Sequence, residues 1–278
     1  MSIAEKLTVV AENVQKVYEA GYEKGKAEGG SDYTEGYKNG YSVGMATGKD
    51  TQRFNFWSGL QKYGNLNDYS YLFYGWEEGI FEPQYDIYPK NGTYMFGNFN
   101  TSNRIVSLTE LLNRYKVSLD TSRCTNFSYM FYFSWINTVP TLDTRAASDL
   151  TKMFNCATRT ITIEKIILKD DGSQTFYTGS SDNCFYNCNT LVDVAFDGVI
   201  GNNIGFRNST KLSATSMANI MEHLSTTATE KTVHFNQTAV NAAVFPITSP
   251  TNPNVKYDSW EDLITKTKPS GWTVNIVA

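Results

Sequence analysis

Phenylalanine recurs at positions 73, 96, 131, 154, 185 and 206 in one setting. A large apolar residue or its substitute comes first, then Phe. Two residues that often include Gly or Asn follow, then Cys or a substitute. The copies are Leu72-Phe73-Tyr74-Gly75-Trp76, Met95-Phe96-Gly97-Asn98-Phe99, Met130-Phe131-Tyr132-Phe133-Ser134, Met153-Phe154-Asn155-Cys156 (one residue short), Cys184-Phe185-Tyr186-Asn187-Cys188 and Gly205-Phe206-Arg207-Asn208-Ser209. The Phe-to-Phe steps are 23, 35, 23, 31 and 21 residues. The shorter steps read as one repeat, the longer as one repeat with an inserted loop. No copy of this size buries an apolar face alone, so the period demands coil stacked on coil.

A second element keeps register with the first. Leu119-Asp120-Thr121-Ser122 precedes Met130-Phe131 at the offset by which Leu142-Asp143-Thr144-Arg145 precedes Met153-Phe154. β-Branched or alternating runs follow the motifs at Ile161-Thr162-Ile163, Ile166-Ile167-Leu168 and Val192, Val194 and Phe196, and these predict strands. Each turn is therefore expected to give one strand to a continuous sheet and one Phe to an inner ladder. The Cys position would face inward where space is small, which explains its exchange with Ser. The cysteines at 124, 156, 184 and 188 then read as small buried hydrophobes, neither a disulfide framework nor a metal site.

Over residues 70–212 this pattern resembles the BspA-type leucine-rich-repeat family, in the variant that runs Asp-Thr-Ser, Met-Phe, Asn-Cys, Leu. The closest matches are Asp120-Thr121-Ser122 with Ser128-Tyr129-Met130-Phe131, and Cys184-Phe185-Tyr186-Asn187-Cys188-Asn189-Thr190-Leu191. Irregular spacing departs from the family pattern. The resemblance implies an α/β fold: an irregular leucine-rich-repeat solenoid over 51–212, closed by a C-terminal helix/strand cap over 213–278.

Residues 1–50 have another texture and read as a helical stalk. Ile3, Leu7, Val10, Val14 and Val17 are spaced 4-3-4-3, which is a coiled-coil seam, and Ser2 with Glu5 has capping-box spacing. So short a helix needs a partner, either other copies or a docking groove. Gly21, Gly25 and Gly29, then Gly36, Gly40, Gly44 and Gly48, recur every four residues, with Tyr33, Tyr37 and Tyr41 interleaved. Glycine costs about 1 kcal/mol per helix position against Ala, so phased glycines point to close helix approach in a bundle.

The cap reads from its punctuation. Met217, Ile220, Met221 and Leu224 mark one helix face, with Ser213 or Ser216 at its start. Thr232-Val233-His234-Phe235 reads as a strand. A helix begins after Ser259, and Trp272-Thr273-Val274-Asn275-Ile276-Val277 reads as the last strand.

The chain carries 24 basic and 28 acidic residues, net −4, so no basic excess exists to hold nucleic acid or an anionic membrane. No run approaches the ~18 apolar residues that span a bilayer. Met1 leads into Ser2-Ile3-Ala4-Glu5-Lys6 without an apolar signal segment, so synthesis in a cytoplasm is expected. No nucleophile elbow, phosphate loop or dinucleotide fingerprint occurs. The carboxylate pairs Glu77-Glu78 and Asp170-Asp171 are adjacent and point apart, and His223 and His234 lack a local partner set. The chain thus reads as no enzyme, with no catalytic residue, cofactor or metal.

The layout of short helix, Gly/Tyr stalk and degenerate repeats is similar to tail-associated proteins of phages and prophages of Gram-positive gut bacteria. That resemblance implies a virion component (tail, baseplate or tail fibre) whose stalk self-associates, with three copies as the expectation. It also implies contact with other tail proteins and with a host-surface glycan or protein. With 18 Tyr, 16 Phe and 5 Trp, exposed rings are the expected contacts, and Tyr132, Trp135, Phe176 and Tyr177 lie in or beside the irregular segments. For each of these, packing on a neighbouring repeat is the alternative. A cell-surface adhesin of the same repeat family and a polysaccharide depolymerase are the competing functions.

Overall fold

Four turns, those of Phe73, Phe96, Phe131 and Phe154, open with an Asp or Asn five residues before the Phe, whose side chain accepts the N–H two residues on. Asp68 takes Ser70 (2.9 Å), Asn91 takes Thr93 (3.2 Å), Asn126 takes Ser128 (3.0 Å) and Asp149 takes Thr151 (2.8 Å). Such bonds hold the backbone in a turn. The computed structural model describes residues 68–70, 72–75, 83, 86–99, 106–177 and 183–278. The stalk expected over 1–50, with Ile3, Leu7, Val10, Val14 and Val17, lies outside the described residues.

Two residues past each of five Phe the backbone turns left-handed, at Gly75 (φ +69°), Asn98 (48°), Phe133 (49°), Cys156 (57°) and Asn187 (58°). Gly and Asn adopt this region readily, whereas for other L-residues it costs roughly 1–2 kcal/mol. The next N–H returns to the Phe carbonyl: Phe99 to Phe96 (3.3 Å), Ser134 to Phe131 (3.2 Å), Ala157 to Phe154 (3.0 Å) and Cys188 to Phe185 (3.3 Å). The fourth copy is therefore full length, unlike its reading from the sequence. Cys156 fills the left-handed position and the fully buried Ala157 takes the inward place.

Turns hydrogen-bond to their neighbours at matching positions. Phe73 N–H donates to Met95 O, Phe96 to Met130, Phe131 to Met153 and Phe154 to Cys184, all at 2.8–2.9 Å. This fixes the rings in a column. Centroids are 5.2 Å apart for Phe73–Phe96, 5.5 Å for Phe96–Phe131, 5.0 Å for Phe131–Phe154, 5.7 Å for Phe154–Phe185 and 4.6 Å for Phe185–Phe206. The column continues to Phe235 (6.2 Å, 13° from parallel), and Trp260 closes it edge-on at 5.3 Å.

The strands run parallel across successive turns. β1 (Val106–Ser107), β2 (Ile136–Val139), β4 (Thr162–Ile167) and β5 (Asp193–Asp197) form one sheet, with β3 (Leu142–Asp143) also on β4. β2 and β3 pair with successive parts of β4, Val139 opposite Ile163 and Leu142 opposite Ile166. Pro140 lies between them and has no N–H to give a ladder. Helix α1 (Leu108–Tyr115) follows β1, capped by Ser107, which accepts the Glu110 N–H at 3.1 Å.

The sheet ends at β5 for a specific reason. Helix α2 (Ala214–Glu222), capped by Ser213, presents two buried polar side chains to the β5 edge. Ser216 Oγ accepts Val194 N–H at 2.9 Å and Asn219 Oδ1 accepts Phe196 N–H at 2.6 Å. These stand in for a further strand and satisfy the edge. A second parallel sheet then orders β6 (Ile204–Phe206), β7 (Lys231–Asn236) and β10 (Trp272–Val277) with β7 in the middle. Between its strands lie α3 (Gln237–Ala242), the antiparallel pair β8 (Ile247–Thr248) and β9 (Lys256–Tyr257), and α4 (Trp260–Thr267).

Candidate functional site

The side chains just outside the column form an aromatic strip. Tyr94 and Tyr129, each two residues before its column Phe, stack at 4.6 Å and 7°. Tyr132 meets both edge-on, at 5.6 and 5.2 Å. Phe133 stands edge-on to Tyr132 at 4.7 Å and is 46 % exposed. Tyr74 meets Tyr94 edge-on at 6.1 Å. Room for Tyr74 comes from Gly97, where a Cβ would lie 2.8 Å from the Tyr74 ring.

Cations border the strip. Lys152 Nζ lies 5.4 Å from the Tyr129 centroid, and the Arg159 guanidinium lies 4.9 Å from the Trp135 ring. Tyr74, Tyr94, Tyr129, Tyr132 and Trp135 are all half-buried. Partial burial is the main reason the Tyr132 hydroxyl titrates above its ordinary range. Edge-to-face and stacked pairs are worth about 0.5–1.5 kcal/mol each beyond burial, so the rings are held in place before any ligand arrives. Ordered rings lose little further freedom on binding.

Of the four rings expected to bind, Tyr132 belongs to the strip and Trp135 lies two residues beyond Phe133. Tyr177 lies elsewhere, half-buried with its centroid 6.0 Å from His234. Phe176 is a correction: it is fully buried and packs edge-on against Phe196 at 6.3 Å. The cause is the neighbouring Thr175, which donates to Ser148 O (2.9 Å) and accepts from Leu150 N–H (2.8 Å). That pairing draws the end of the inserted segment back into the stack. Sequence reasoning missed Tyr74, Tyr94, Tyr129 and Phe133 as contacts. The signal was the shared Tyr before Met in Tyr94-Met95-Phe96 and Tyr129-Met130-Phe131.

The other candidate chemistry is dispersed. Asp171 accepts the Ser173 N–H at 2.9 Å in a turn, and that bond holds its carboxyl below the usual range. His223 Nδ1 lies 2.7 Å from Asn219 O at the end of α2, while His234 is on β7. Glu77 and Glu78 lie outside the described residues. Among the described residues no group of three or more His, Cys, Asp or Glu could hold a metal ion, and no helix is long and apolar enough to cross a membrane.

No protein-family model, curated protein or solved structure matches the chain.

Proposed function

We propose that the chain is a structural and interaction protein of a bacteriophage virion, in the tail, baseplate or a tail fibre. Its repeats form a leucine-rich-repeat solenoid of BspA type that touches the host surface. Residues 1–50 assemble it, as a homotrimer, and attach it to other tail proteins. The layout of the sequence supports the virion half of this reading. The observation that carries the binding half is the strip of Tyr74, Tyr94, Tyr129, Tyr132 and Phe133, whose half-exposed rings span three consecutive turns. Tyr presents a large amphipathic face with few torsions to freeze, which suits a glycan or a protein surface.

The test uses virions from an induced culture of a strain that carries the gene. Antibody raised against the chain is expected to decorate the tail of intact particles under the electron microscope. Purified particles without label would reject the reading. The strip is tested separately by binding of the full chain to cells that the phage infects. Tyr129→Ala with Tyr132→Ala is expected to lower cell binding at least ~10-fold, about 1.4 kcal/mol.

A further inference from the structure

We propose that the β6–β7–β10 sheet carries a binding site for a single oxyanion, built on Arg207 and bordered by His234, Tyr177 and Asn275. Gly205, His234 and Asn275 lie in register across the three strands, so they share one face. Gly205 leaves a step in that face, where a Cβ would meet Asn183 Nδ2 at 3.0 Å and His234 Cβ at 3.7 Å. Arg207, two residues on, brings Nη2 to His234 Nε2 at 3.0 Å, and the Asn275 amide meets Nδ1 at 3.2 Å.

The chemistry of these contacts fixes the charge of the site. A guanidinium only donates, so Nε2 accepts and Nδ1 carries the proton; Asn275 Nδ2 lies 3.2 Å from Nδ1, and rotating that amide by half a turn presents its oxygen as the acceptor. Burial and the Arg207 charge hold His234 neutral. Arg207 therefore spends one of its N–H groups on a neutral ring, and its Nε is buried without an acceptor. Among the described residues no carboxylate forms an ion pair with it. A half-buried cation without counter-charge is incompletely satisfied. The guanidinium edge matches two oxygens of one carboxylate or phosphodiester. Tyr177 offers a ring to the group that bears the anion. The net charge of −4 favours one anionic group over a polyanion.

The site uses none of the strip residues, and its test is independent of the virion reading. The chain has 2 His, so selective ¹³C labelling of imidazole gives two ring signals, one of them an internal control at His223. The full-length protein is titrated with sodium acetate and, separately, with sodium dimethyl phosphate at constant ionic strength. A saturable shift of His234 with His223 unmoved is expected, and the tighter of the two probes names the anion. Arg207→Gln is expected to weaken the response at least ~10-fold, and Arg207→Lys, which keeps the charge but loses the fork, several-fold. Absence of a saturable His234 shift with both probes overturns the proposal. So does an unchanged response in either variant with native dispersion of the remaining signals.

Discussion

Phe131 and Phe154 are 23 residues apart in sequence, yet their rings lie face to face at 5.0 Å and 7° from parallel. Both are fully buried, and the backbone bonds Phe131 N–H to Met153 O and Phe154 N–H to Cys184 O, 2.9 Å each, set their spacing. Neighbours held in this way cannot close over a missing ring. Phe154→Ala is therefore expected to cost about 3–5 kcal/mol, read from urea unfolding of the full chain. A loss below ~1 kcal/mol would show that the column is not a principal source of stability.

Gly198 has φ +100°, and a Cβ there would lie 2.5 Å from the carbonyl oxygen of Leu168, whose own N–H donates to Asp197 O at 2.7 Å. Gly198→Ala meets both backbone strain and a backbone atom that cannot swing away. A loss of at least about 2 kcal/mol is expected. Gly75 is the control: its φ is +69° and, among the described residues, nothing lies within 4 Å of the added Cβ. Gly75→Ala should then lose no more than the left-handed penalty of roughly 1–2 kcal/mol. Equal melting shifts for the two variants would contradict the steric argument.

The six spaced Phe were legible because a column needs the same residue at the same point of each turn, and a period survives degeneracy around it. Phe235 was not, since it comes 29 residues after Phe206 and has His before it in place of Met. It joins the column through the pairing of β7 with β6, where Phe235 lies opposite Phe206. The helix starts at Ser213 and Ser259 were legible because an N-cap side chain acts on its own next turn, here on Ser216 and Asp262. The break between the two sheets was not, because it rests on where Ser216 and Asn219 point relative to β5. Phe176 misled for the same reason: its burial depends on the distant partner of Thr175. In the aromatic strip, Tyr132 was legible from its place in an irregular copy. Tyr94 and Tyr129 needed the coil spacing that lays one ring on the other.

All four cysteines are buried, and burial raises the Cys184 and Cys188 thiols and pushes Cys124 up to about 11. Cys188 Sγ also donates to Phe154 O at 3.0 Å. The thiolate is the reactive form, and it needs both ionisation and access. The native chain is expected to show no rapid reaction with an aromatic disulfide reagent at pH 8, and 4 equivalents once unfolded in guanidinium. A fast native equivalent would locate a cysteine outside the packed stack.

His234 gives the fold an acid-sensitive point. It is 7 % exposed, and burial first, then the Arg207 charge, pushes its pKa from the ordinary 6.5 down to about 4. The unfolded chain thus takes up a proton near pH 6.5 that the folded chain refuses until near pH 4. Stability from this group is fully present above pH 6.5 and is lost as the pH falls from there toward 4. Between pH 7 and pH 5 the loss is on the order of 2 kcal/mol. Urea unfolding at the two pH values measures it. His234→Gln has no imidazole to protonate and should lose correspondingly less over the same interval, whatever its stability at pH 7. Arg207→Gln removes the like charge beside the ring, so His234 accepts its proton more readily in the folded state; the loss should be smaller and complete at a higher pH than in the native chain. A pH dependence identical in all three proteins would assign the acid sensitivity to other groups.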